Sequence, residues 1–320
     1  MAAMPQNKEF SPYDRKNLDS LREHPKLANS IRGSKKQFWN DDDVFEEILK
    51  KHGGIQASPE QKKAIASLMS IIFYGEIVAM HTSSQLVGMM PDLAAQFVAA
   101  FQTMEESKHV SAMAKYLDAL GVELPEINPW AKKLLEQIRG ETDPAAKLVG
   151  MNLIVENVAH GIFTTLQDSF DEPVLRDLLH YIDLDEVKHV ALARNYLPRV
   201  LKGVGPIRRA RILAMQVYWN YLMFRAQDQI MRDSKELYID WNAQMKKDFR
   251  DWRQMYKELP PEAQRISLVK PPNKEWGDKI ADFFMPPEKF GKEALLAAKA
   301  RKASNEAPKA SKANGTLATA

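Results

Sequence analysis

From Phe38 to Gly203, apolar residues return every three or four positions, the spacing that lines one face of an α-helix. The pattern continues through residues 206–258, in PIRRARILAMQVYWNYLMFRAQDQIM and WNAQMKKDFRDWRQMYKEL. Proline pairs at 260–261, 271–272 and 286–287 then interrupt regular structure. No stretch alternates apolar and polar residues as a half-buried strand does, so the expected fold class is all-α. Four regions follow: an N-terminal arm over 1–37, a helical bundle over 38–203, additional helices packed on it over 204–288, and a disordered tail over 289–320 rich in Ala, Lys, Ser and Asn. The arm is expected to be extended or to form short helical pieces.

Four of these apolar segments carry charge where a packed face is expected. EESKH at 105–109 and DEVKH at 185–189 both contain Glu-x-x-His, as Glu106 with His109 and Glu186 with His189. Residues i and i+3 share a helix face, so each pair can approach one metal ion. Glu76 in IIFYGEIVAM and Glu156 in MNLIVENVAH each lie 30 residues before a motif glutamate. The pattern Glu-x29-Glu-x2-His therefore occurs twice. Its midpoints, Pro91 in GMMPDLA and Asp171 in DSFDEPVL, fall in turn and helix-start signals. Each unit thus reads as an antiparallel helix hairpin, with both glutamates roughly 22 Å from the turn at ~1.5 Å per residue. Two such hairpins, joined by a long crossover near 121–142, make a four-helix bundle with four carboxylates and two imidazoles at one level.

Charge decides what that level must hold. Four buried carboxylates without compensation cost several kcal/mol each. Two divalent cations would neutralise them, and carboxylate oxygen with imidazole suits iron or manganese. The expected cofactor is two iron ions, with mixed manganese/iron an alternative. Lys108 and Lys188 stand between the ligands and are expected to face away from the site.

Composition narrows the rest. A net charge of +3 does not suggest nucleic acid as a partner, and hydrophobic content of 45% is ordinary for a soluble domain. No uninterrupted apolar run reaches the ~18 residues that span a bilayer, and the start has no apolar signal core, so a cytoplasmic protein is expected. The chain has no cysteine, which excludes disulfides, thiolate catalysis and a protein-held iron–sulfur relay.

These residues resemble the ferritin-like di-iron carboxylate proteins, within them the branch of the ribonucleotide reductase small subunit and the bacterial multicomponent monooxygenases. The motif match covers roughly residues 60–203. The resemblance implies a ferritin-like four-helix bundle with additional C-terminal helices. It assigns Glu76, Glu106 and His109 to one metal and Glu156, Glu186 and His189 to the other, with one or more glutamates bridging. It also implies that Asp185 and Glu105 orient metal-bound histidines. The radical-forming tyrosine of the reductase subunit, four residues after the first motif histidine, is Met113 here, and no tyrosine follows Tyr256. Trp39 lies near the place of that subunit's electron-path tryptophan, but it reads better as a core anchor at a helix start.

Residues one turn from the ligands face the same interior: Met80, Gln102, Met113, Asn152, Ile182, Ala193 and His160. Packing accounts for most of them. His160, four places after Glu156, is open to three roles: a seventh ligand, a proton donor to the reacting oxygen, or a hydrogen-bonded core histidine. Among the functional roles, proton donation is preferred to ligation, because six ligands already complete the pattern. His81 and His180 point off this face. The expected activity is that of a di-iron oxygenase or oxidase using dioxygen to hydroxylate or N-oxygenate a small organic substrate. Electrons would come from an external reductase or ferredoxin, and a homodimer is expected. The alternatives are an oxidase or radical-generating subunit serving a larger partner, and a non-catalytic iron-binding bundle.

Overall fold

A computed structural model of the protein describes residues 10–202, 204–259, 261, 264 and 270–286. The tail expected over 289–320 lies outside the described residues. Helices α1 (Asn17–Glu23), α2 (Pro25–Lys36) and α3 (Asp41–His52) precede α4 (Pro59–Met89) and α5 (Leu93–Leu120). Then come α6 (Pro129–Gly140), α7 (Pro144–Leu148), a π-helical segment (Val149–Val155), α8 (Glu156–Ser169) and α9 (Pro173–Val200). Helix α10 (Pro206–Asp233), a short 3-10 turn (Lys235–Leu237), α11 (Trp241–Glu258) and α12 (Lys274–Phe284) complete the order. No strand occurs among the described residues, so the class is all-α.

Local chemistry sets the helix starts. Ser58, Asn128, Asp143 and Glu172 each accept backbone N–H bonds at a helix N-terminus, directly before a proline whose missing N–H costs nothing there. Asp92 caps α5 in the same way, and Gly121 ends it in the left-handed conformation. The two hairpin turns fall at residues 90–92 and 170–172, where the repeat places its midpoints.

Helix α5 packs on α4, and α9 packs on α8 and the π segment; α5 against α9 joins the hairpins. The crossover holds α6 and α7, with α6 lying on α4 and α10. Helices α2 and α3 cover α5 and α9, while α11 lies on α8. Within the expected arm, the described residues form the short helices α1 and α2, with Leu27 and Ile31 of α2 buried.

Two apolar cores fill the bundle, one toward each end. The first contains Ala79 of α4, Ala99 of α5, Ile154 and Leu192. The second contains Ile72 of α4, Ala112 of α5, Ile162 and Ile182. On all four bundle helices the predicted ligands fall in the gap between the two cores. The glutamates at equal distances from their turns therefore form one buried polar layer at mid-bundle.

Helix α4 differs from one sequence expectation. Its composition is apolar enough to cross a bilayer, although half of its most apolar 18-residue window is buried in the bundle. Glycine, serine, threonine and tyrosine break its apolar runs without adding charge, which hides this property from a search for unbroken runs. A helix covered on several sides is apolar around most of its circumference.

The π segment is not legible in the periodicity. The Glu156 N–H donates five residues back, to the Met151 carbonyl, and the widened turn ends at this predicted ligand. Gly150 within it lies against α10. A Cβ there would stand 2.8 Å from Trp219 Cζ3 and 3.0 Å from Ile138 Cγ1. Trp219 is fully buried and cannot swing away. Gly150→Ala is therefore expected to lower stability by about 1–3 kcal/mol, measured by urea denaturation, with a still larger loss for Gly150→Val.

Candidate metal centre

Glu76, Glu106, His109, Glu156, Glu186 and His189 are all buried and meet at mid-bundle. Atoms of Glu76, Glu106, His109 and Glu186 lie within 4.8 Å of one another, as do those of Glu106, Glu156 and His189, so each group could hold a metal ion. Both imidazoles turn Nδ1 inward. His109 Nδ1 is 3.1 Å from Glu76 Oε2, 3.5 Å from Glu106 Oε2 and 3.4 Å from Glu186 Oε1. His189 Nδ1 is 3.1 Å from Glu106 Oε1 and 3.3 Å from Glu186 Oε2. Each motif glutamate thus reaches both histidines, one oxygen to each. Glu76 and Glu156 stand at the two flanks.

The outer nitrogens are held by acids on the opposite hairpin. His109 Nε2 lies 3.3 Å from Asp185 Oδ2 of α9, and His189 Nε2 lies 3.0 Å from Glu105 Oε2 of α5. Each acid precedes one motif glutamate and steadies the other motif's histidine. Such a contact fixes the ring and leaves Nδ1 free to ligate.

The lysines do not face away. Lys188 Nζ donates to Glu105 Oε1 and to Asp185 Oδ1, both at 2.6 Å, and so ties the two acids together. Lys108 Nζ donates to Asp185 Oδ2 at 3.1 Å and lies 4.6 Å from the centre of the Trp39 ring. A helix in a two-layer packing would turn these residues to water. Here α2 and α3 cover the outer faces of α5 and α9, so the far side is also interior. A buried ammonium needs a carboxylate there.

Trp39 is more than an anchor. Its indole Nε1 donates to Asp185 Oδ2 at 2.9 Å, and its ring stacks on His109 at 6.2 Å between centroids. Gln102 and Asn152 likewise do more than pack. Gln102 Nε2 donates to Glu156 Oε1 at 2.8 Å and to Glu106 Oε1 at 3.1 Å. Asn152, in the π segment, donates to Gln102 Oε1 at 2.9 Å and to the His189 carbonyl at 3.1 Å. The only sequence signal for either was its position one turn before a ligand.

Electrostatics tests whether cations fit. Burial pushes the Glu76 and Glu156 carboxyls well above the usual range, and neighbouring glutamates add to it. Burial acts in the same direction on Glu106, but the two histidines outweigh it and hold that carboxyl well below the range. Burial would lower both histidines, yet the surrounding carboxylates raise them well above their ordinary value. Protons must balance this cluster wherever cations do not. Glu106 Oε2 and Glu186 Oε1 are buried with no hydrogen-bond partner, which leaves two oxygens turned inward for a ligand bond. The donor set fits two divalent cations: the lysines offset Glu105 and Asp185, and four carboxylates remain.

No family model and no curated protein matches this sequence. Solved structures do. An R2-like ligand-binding oxidase variant with an aerobically reconstituted Mn/Fe cofactor aligns at a TM-score of 0.58 and 16% identity, covering 78% of this chain and 99% of that one. A second variant, with an aerobically reconstituted Fe/Fe cofactor, aligns at 0.55 and 16% over the same shares. This chain has the R2-like ferritin fold. A third oxidase variant, anaerobically reconstituted with Mn/Fe, aligns at 0.55 and 17% identity.

Within the R2-like fold, the remaining interior positions fall as follows. Met113, Ile182 and Ala193 are fully buried among apolar neighbours. His81 and His180 are exposed. His160 belongs to neither metal-holding group; its Nδ1 pairs with Asp183, and its side chain is 36% exposed. The Asp183 hydrogen bond raises the imidazole above its ordinary value, against the effect of burial. A cavity of about 70 Å³ reaches the centre and is bounded by Glu76 and Glu156 together with Ala79, Val155 and Ile162.

Proposed function

We propose that this chain is an oxidoreductase with two non-haem iron ions, or one manganese and one iron, that uses dioxygen to hydroxylate or N-oxygenate a small organic substrate. Glu76, Glu106, His109, Glu156, Glu186 and His189 would hold the two ions, the histidines through Nδ1, with Glu106 and Glu186 each facing both histidines. The observation that carries the reading is the crossed arrangement of the motif glutamates, each with one oxygen toward either histidine. Bound iron supplies two-electron reduction of dioxygen. The chain's own groups do the rest. Asp185 and Glu105 hold the imidazole rings, Gln102 fixes the Glu156 carboxylate, and the apolar walls of the small cavity exclude water. Protons reach the flank of the centre through His160, which Asp183 keeps oriented one turn from Glu156. In this reading the protein works as a cytoplasmic homodimer, and an external ferredoxin or reductase supplies electrons, since the chain has no cysteine.

A second reading, an oxidase or radical-generating subunit serving a larger partner, rests on Trp39. The hydrogen-bonded path Trp39–Asp185–His109 leads outward from the cluster. Met113 in place of a radical-forming tyrosine weighs against it.

Isotopically labelled dioxygen separates the two. Ferrous-loaded protein supplied with a reductase and a library of small apolar compounds is expected to place label in an organic product. Labelled water alone, with a long-lived radical signal, would reject the oxygenase reading. His160→Phe is expected to retain both metals while the dioxygen reaction slows and loses its pH dependence near neutrality. Loss of metal in that variant would instead make His160 a ligand.

A further inference from the structure

A second cavity of about 550 Å³ lies beside the small one, between the π segment, α8, α10, α11 and α12. That volume suits a small organic molecule. Its wall is mainly apolar, with Leu153, Ile154, Tyr221, Phe224 and Phe249 among the contributors. Val158, Met223 and Gln227 line both cavities and form the partition between them. The small cavity on the far side of that partition touches Glu76 and Glu156.

Among its described lining residues, two are charged. Lys270 is exposed at the rim, whereas Asp248 is set into the wall against α8. The approach is close because residue 161 is glycine: a Cβ there would stand 2.8 Å from Asp248 Oδ1. Gln244 Nε2 donates to that same oxygen at 2.7 Å, and no other hydrogen bond to the Asp248 carboxylate occurs among the described residues. Burial pushes the carboxyl up to about 7; the charge of Asp251 adds to this, while the Gln244 hydrogen bond and the charges of Lys247 and His160 oppose it. An acid in an apolar wall needs a donor, and the protein provides one for only one of its two oxygens.

We infer that the larger cavity binds an apolar amine, with its nitrogen on Asp248 and its hydrocarbon directed past Val158, Met223 and Gln227 toward Glu76 and Glu156. An amine supplies both the missing donor and the opposite charge. A carboxylate head would meet Asp248 with like charge. An alcohol would supply the donor without the charge. The inference rests on the oxidase reading for the purpose of the site, but binding can be measured without it.

The probe is decylamine, titrated calorimetrically into metal-loaded protein kept free of dioxygen, with 1-decanol and decanoate as comparisons. Decylamine is expected to fill one site at least about ten times more tightly than either. Asp248→Asn, which keeps the shape and removes the charge, is expected to weaken decylamine about ten-fold and leave decanol unchanged. Asp118→Asn, at an exposed position of α5 away from the cavity, should leave all three unchanged. Met223→Trp should narrow the partition and weaken decylamine. Thermal unfolding checks that each variant is folded. The inference is overturned if no probe saturates, if decanoate or decanol equals decylamine, or if Asp248→Asn binds decylamine as before. Tight amine binding in a protein that never oxidises a substrate would keep this site and reject the oxidase reading. Oxidation of other substrates without amine binding would do the reverse.

Discussion

Replacing Glu106 by alanine will leave less than about one metal ion per chain, against about two in the unaltered protein after anaerobic loading with ferrous iron. Elemental analysis of the desalted protein reads this directly. The large effect follows from position. Glu106 sends one oxygen toward each histidine and belongs to both groups that could hold an ion. Its loss therefore weakens two sites at once, whereas loss of a flanking glutamate removes a ligand from one. Glu186→Ala should behave alike, since Glu186 also faces both histidines. Ser107, on the exposed side of the same turn, provides the control: Ser107→Ala should keep both ions. Two ions retained in folded Glu106→Ala would remove the basis of the whole assignment. The metal-free alanine variant should also lose stability, because His109, His189 and Gln102 each lose a buried partner.

Asp185→Leu will cost about 3–5 kcal/mol in stability, the range for breaking a buried ion pair from one side. Asp185 is fully buried and accepts from Trp39, Lys108 and Lys188 while facing His109 Nε2. Burial alone would raise its carboxyl, but the His109 hydrogen bond and charge, followed by Lys188, hold it well below the usual range. Leucine would leave Lys188 with Glu105 alone and Lys108 with no carboxylate. Removing the orphaned charge tests the cause. The double variant Asp185→Leu with Lys108→Met should recover part of the loss in guanidinium denaturation. The single variant should also bind metal about 10–100 times more weakly, because His109 loses the acid that orients it. A stability change under about 1 kcal/mol would show that the cluster does not depend on this acid.

How much of this was legible beforehand depends on what is local to a helix. The all-α class, the two hairpins and their turns follow from periodicity, caps and prolines, each of which acts within a few residues of chain. The equal heights of Glu76, Glu106, Glu156 and Glu186 follow from a fixed rise per residue, so counting positions is enough to gather them. The absence of cysteine and the choice of carboxylate with imidazole likewise need only the residue list.

Other features belong to no single helix. Lys108 and Lys188 lie off the ligand face, and only the cover of α2 and α3 makes that second face interior and turns both side chains onto Asp185. Trp39 meets Asp185 across 146 positions of chain, a contact no spacing rule reports. Within the π turn before Glu156, Gly150 lies against Trp219 of another helix, a contact that periodicity does not report. Asp248 appears in the sequence as an ordinary polar residue, and Gly161 on α8 sets it into an apolar wall. Spacing along a helix fixes which side chains share a height and a face. What each face meets is set by the neighbouring helices, and burial and charge pairing are properties of that meeting.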